Sequence, residues 1–77
     1  MMEDLKNILQ DLHPDVDFDS EDRLIEKGIL NSFDIVSIIA EIDDVFGVTV
    51  PAEEIVLENF NSMQALYSLI ERLSEEI

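Results

Sequence analysis

Apolar residues recur at helical spacing in three stretches of the chain, and each stretch is bounded by residues that start or stop helices. Leu5, Ile8, Leu9 and Leu12 follow i, i+3, i+4, i+7, the stripe of one buried helix face. They predict a first helix over residues 2–12. His13-Pro14 stops it, because proline keeps its predecessor out of the helical region. Ile35, Ile38, Ile39, Ile42 and Phe46 form a second stripe. Asn31 is a good N-cap type for it, Asp34 stands three places on as a capping-box partner, and Gly47 suits the C-terminal stop. The second helix is therefore predicted from Asn31-Ser32 to about Phe46. Leu66, Leu69, Ile70 and Leu73 give the buried face of the last helix. Asn61 or Ser62 is its expected cap, with Gln64 placed for a capping box from Asn61.

The intervening segments are less regular. Residues 14–31 read as a long connection, pinned to the core by Val16, Phe18, Leu24, Ile25, Ile29 and Leu30. Loops of this length usually carry function or short turns of their own, and residues 22–27 read as such a turn, closed by Gly28. Val48-Thr49-Val50 is too short for a strand without a partner and reads as an extended connector. Pro51 suits the first turn of a short helix over about 52–57. The expected fold is all-α: a four-helix bundle of three main helices and one short one, with a long first loop, forming one domain over residues 1–77.

Composition narrows the function. A 77-residue chain without cysteine has neither disulfide nor thiolate metal site to staple it, so helix packing must supply its stability. Nineteen acids against four bases give a formal charge of −15. Nucleic acid is a poor partner, because its phosphates would be repelled, whereas basic protein surfaces are steered in. No apolar run is long enough to span a bilayer, and no basic-then-apolar leader opens the chain. A cytoplasmic monomer is the expectation. Catalysis is not expected: His13 is the single histidine, and without cysteine or a glycine-rich loop the chain offers no triad, P-loop or zinc site. His13 itself is expected to sit at the end of the first helix, against the negative end of its dipole.

One hydroxyl stands out by position. Ser32 is expected at the first helical residue of the second helix, where backbone N–H groups are unsatisfied and the dipole is positive. Such a site stabilises a phosphate ester on the hydroxyl, although many serines there only cap. Phe33, Val36 and Ala40 fall roughly opposite the core stripe and are expected at the surface; the alternative for Phe33 is burial under the long loop. Exposed apolar residues beside acids mark a partner surface.

Taken together, Gly28-Ile29-Leu30-Asn31-Ser32-Phe33-Asp34, then Val36, Glu41, Asp43, Asp44, Phe46-Gly47 and Val50-Pro51, resemble the acyl carrier protein family over essentially the whole chain. The resemblance implies that Ser32 accepts 4′-phosphopantetheine covalently from coenzyme A, through a separate magnesium-dependent phosphopantetheinyl transferase. The arm's thiol would hold an acyl or aminoacyl group as a thioester, so the chain needs no cysteine. It implies further partners, acyl- or aminoacyl-loading and condensing enzymes with basic docking patches. Asn31, Phe33, Asp34, Val36, Ala40, Glu41, Asp43 and Asp44 match or neighbour the positions that meet them. There are departures. Asn31 stands where Asp is usual, which removes a charge beside the serine. Phe33 replaces the usual Leu, as in free-standing D-alanyl and peptidyl carriers. Ala40 is small, and Ser37 and Glu41 change the usual placement of acids.

Two other readings compete with the carrier. Asp15, Asp17, Asp19 and Glu26 match positions 1, 3, 5 and 12 of a calcium loop. However, Ser20 replaces the turn glycine and Pro14 breaks the entering helix, so a solvated acidic loop competes with a cation site. The second reading is an acidic adaptor that uses the same helix surface and carries no modification.

Overall fold

The structure, a computed structural model, describes residues 2–75. It contains four α-helices, α1 (Met2–Leu12), α2 (Ser32–Phe46), α3 (Leu57–Phe60) and α4 (Met63–Glu75), with a 3-10 turn at Ala52–Glu54. No strand is present among the described residues. α1 packs against α2 and α4, and α3 packs against α4.

The three long helices bury the expected stripes. Leu5 and Leu9 of α1, Ile38 and Ile42 of α2, and Leu66, Leu69 and Ile70 of α4 are essentially sealed from solvent. Met63 and Leu73 extend the α4 face, and Ile35, Ile39 and Phe46 lie half-buried along the edge of α2. Each fully buried aliphatic side chain contributes roughly 1.5–3 kcal/mol by leaving water. In a chain this short, that burial has to come from nearly every apolar position.

The long loop is part of the core. Phe18, Leu24 and Leu30 are buried, and Val16, Ile25 and Ile29 pack partly against them. The turn near its end closes through Lys27 N–H to Arg23 C=O (2.9 Å) and Gly28 N–H to Ile25 C=O (3.0 Å). Gly28 adopts φ 72°, a left-handed conformation that a side chain would strain. Val48 and Val50 anchor the extended connector after α2.

One local expectation is corrected, and the two alternatives for the cap of α4 are resolved in favour of Ser62. The short helix over 52–57 is instead a 3-10 turn followed, after a break, by α3. Ile55 (ψ 78°) and Val56 (φ −129°, ψ 156°) are non-helical, in keeping with the weak helix preference of β-branched residues. The cap of α4 is Ser62, whose Oγ accepts the Ala65 N–H at 3.0 Å. Asn61 is engaged elsewhere: its Oδ1 accepts the N–H groups of Ile25 (3.0 Å) and Glu26 (3.3 Å), and its carbonyl accepts that of Leu24 (2.8 Å). It fastens the long loop to the α3–α4 junction, and Gln64 is exposed with no capping-box role.

Candidate functional site

The first turn of α2 is built by reciprocal capping. Asn31 leaves the helix in an extended conformation, and its Oδ1 accepts the Asp34 N–H at 3.0 Å. Asp34 Oδ2 in turn accepts the Asn31 N–H at 3.2 Å. Asn31 therefore performs the capping that an Asp would, without the charge. At the other end Gly47, at φ 67°, donates its N–H to the Asp43 carbonyl at 3.0 Å. Between these stops α2 is 15 residues long.

Ser32 is the first residue of that helix and is exposed. The amides of Ser32 and Phe33 make no hydrogen bond within the described residues. An exposed hydroxyl beside two open N–H groups at the positive end of a helix fits a covalently attached phosphodiester. The described cations are committed elsewhere: Lys6 pairs with Asp19, Arg23 with Glu26, Lys27 with Glu21 and Arg72 with Glu54. A phosphate held at this position would therefore be stabilised by the helix end.

The surface beyond Ser32 mixes apolar and acidic groups. Phe33 is 85% exposed and Val36 66% exposed. Ala40 is exposed on the same face, at i+7 from Phe33. Glu41, Asp43 and Asp44 are exposed and in no ion pair among the described residues. Asp34 differs from them. Its side chain is 16% exposed, and it is engaged both by the cap and by His13 Nε2 at 2.9 Å. His13 was expected only to face the dipole of its own helix; its ring instead reaches across to α2.

Phosphopantetheine attachment is the description of the family whose profile matches this sequence, over residues 3–75. The chain belongs to that family, the acyl carrier protein family. No match was found among curated proteins. Carrier domains of this kind do no catalysis themselves; they bear the covalent 4′-phosphopantetheine on which other enzymes act. The helical fold agrees with the carrier bundle.

The carrier also has features that periodicity did not reveal. Ile55, Val56 and Leu57 are each nearly half exposed. With Ile25, Ile35 and Phe60 they line an apolar cleft of about 130 Å³ between the long loop, α2 and the α3 segment. The one available signal was an apolar triplet, Ile55-Val56-Leu57, in a connecting segment. The calcium-loop acids do not converge: no group of three His, Asp or Glu among the described residues has the arrangement of a metal site. Asp17 caps its own turn, accepting the Ser20 hydroxyl at 2.9 Å, while Asp19 is held by Lys6 at 2.6 Å.

Proposed function

We propose that this carrier is modified at Ser32 and shuttles acyl or aminoacyl intermediates, bound as thioesters, between partner enzymes. The observation that carries this reading is the position of Ser32. It is exposed at the first residue of a doubly capped helix, in a chain matched almost end to end by a phosphopantetheine-attachment profile. When bound, the arm supplies the thiol that the cysteine-free chain lacks. The protein's own part is to present the hydroxyl, keep the helix end open for the phosphodiester, and dock partners.

Docking is assigned to Phe33, Val36 and Ala40 as the apolar centre and to Glu41, Asp43 and Asp44 as the acidic rim, facing basic patches on loading and condensing enzymes and on the transferase. Asp34 belongs to the cap rather than the rim, because its carboxylate is already engaged. No helix among the described residues is long and apolar enough to cross a membrane, and we assign the carrier to the cytoplasm.

Intact-mass analysis of the protein purified from its own cells tests the reading. The expected species carries one phosphopantetheine plus a cargo that hydroxylamine releases, as it does thioesters. A chain that remains unmodified in those cells is instead an acidic adaptor.

A further inference from the structure

We propose that His13 is a positioning residue for the modification site, holding the first turn of α2 in the geometry that presents Ser32; this rests on the assignment of Ser32 above. His13 is itself well fixed. Its N–H donates to the Leu9 carbonyl at 3.0 Å, which continues the last turn of α1, and Pro14 restricts its backbone on the other side. From there the ring reaches a residue 21 positions later, with Nε2 lying 2.9 Å from Asp34 Oδ2. A carboxylate oxygen accepts, so Nε2 carries the hydrogen.

The oxygen it meets is the one that accepts the Asn31 N–H at 3.2 Å. With the return bond from the Asp34 N–H to Asn31 Oδ1, the capping box forms a closed ring of contacts around Ser32 and Phe33. His13 supplies the one hydrogen bond, among the described residues, that ties this ring to another element of the fold. Both partners are shielded, with 31% and 16% of their side chains exposed. The contact is therefore less open to competition from water than the surface pairs elsewhere.

A capping box on its own is free to fray with the helix end. Anchored through His13 to α1, whose Leu5, Ile8 and Leu9 are buried, it fixes the orientation of the carboxylate, the backbone that the carboxylate caps, and the hydroxyl between the two capping residues. Small errors in the placement of a reacting group are costly to an enzyme that must align it. The transferase is such an enzyme with respect to Ser32.

The test uses the full chain, coenzyme A and a broad-specificity transferase, with initial rates measured across carrier concentrations. His13→Ala is expected to lower kcat/KM on the order of three- to tenfold, with the loss falling on kcat rather than KM. His13→Gln, whose amide nitrogen lies near the position of Nε2, is expected to recover most of that loss. Lys6→Ala, which cuts a different tie from α1 to the loop, leaves the rate unchanged. Independently, amide hydrogen exchange at Asn31 and Asp34 should speed up several-fold in His13→Ala, while exchange at Ile38 and Ile42 stays slow. Should His13→Ala fail to fold, His13→Asn takes its place, since its shorter amide stops short of Asp34. Equal rates in wild type and the deficient variant, a loss confined to KM, or unchanged exchange at Asn31 and Asp34 would overturn the proposal. Failure of the wild-type chain to be modified counts against Ser32 instead, and the exchange measurement alone then decides whether His13 holds the turn.

Discussion

Arg72 of α4 grips Glu54 at the end of the 3-10 turn through two parallel hydrogen bonds, of 2.7 and 3.0 Å. Asn59 completes the grip by donating its Nδ2 to the Glu54 carbonyl at 2.8 Å and to its carboxylate at 3.2 Å. The exposed triplet Ile55-Val56-Leu57, one wall of the cleft, lies between these two anchors. The wall is thus held at both ends by polar contacts, whereas little apolar burial secures its middle.

This latch has a defined pH window. Hydrogen bonds from Arg72, reinforced by its charge and by Asn59, hold the Glu54 carboxyl below the usual glutamate range, against a smaller opposing effect of burial. A folded-state value below the unfolded one gives stabilisation that is present above the unfolded value and lost as pH falls through the folded one. Lys6 runs the other way. Its hydrogen bond to Asp19, and that residue's charge, raise it above the usual lysine value. Its contribution is present below the ordinary value and lost as pH rises through the raised one. Melting curves of Glu54→Gln and Lys6→Ala against wild type should therefore converge at the acid end for the first and at the alkaline end for the second. A Glu54→Gln difference that persists unchanged to strong acid contradicts the latch.

Salt should stabilise the fold. The formal charge is −15, and each of the four basic side chains already has an acidic partner. Most of the remaining acids repel one another across the surface. Raising ionic strength from 0.01 to 0.15 M shrinks the screening length from about 30 Å to about 8 Å, which covers most separations on a body 33 Å long. Tm is expected to climb over that range and then level off. A flat profile would rule out self-repulsion as a significant cost.

Cap substitutions separate the residues that start the helices from those that only resemble caps. Asn31→Ala and Ser62→Ala should each cost ~1 kcal/mol in urea unfolding. Asn61→Ala should cost at least as much, because it leaves the Ile25 and Glu26 amides without their acceptor. Gln64→Ala should be neutral. A costly Gln64→Ala, with a silent Asn61→Ala, would restore the capping box at Asn61.

Phe33 and Ile38 lie five residues apart on α2 and should behave oppositely. Phe33 is exposed, so Phe33→Ala should change stability by less than ~0.5 kcal/mol while raising the KM of the transferase for the carrier. Ile38 is sealed in the core, so Ile38→Ala should cost about 2–5 kcal/mol. Chemical denaturation and transferase kinetics check both. Unchanged transferase KM in Phe33→Ala would remove it from the docking face.

These contrasts also mark what was legible in the sequence. α1 and α2 could be read because periodicity and end signals agree: Leu5, Ile8 and Leu9 run into His13-Pro14, and Asn31, Asp34 and Gly47 bracket the isoleucine stripe. Exposure of Phe33, Val36 and Ala40 followed from the same wheel. The region after Pro51 could not be read that way, since a proline start says nothing of where the helix stops, and Asn59 takes the Glu54 carbonyl that a continuing helix would use. The long-range partners of Asn61 and His13 were missed for a shared reason. Each has a local role available, as cap or dipole partner, but a partner 36 or 21 residues away engages it instead. No periodicity encodes such a meeting. The cleft was hidden likewise, because its walls come from three separate segments.

The most direct test is to locate the modification. The purified chain is treated with coenzyme A and a transferase, digested, and mapped by tandem mass spectrometry in parallel with Ser32→Ala. One phosphopantetheine on the peptide containing Ser32, and none on the variant, is the predicted result. Attachment at Ser20, Ser37, Ser62, Ser68 or Ser74, or a variant that is still modified, would show that the open end of α2 is not where the arm is held.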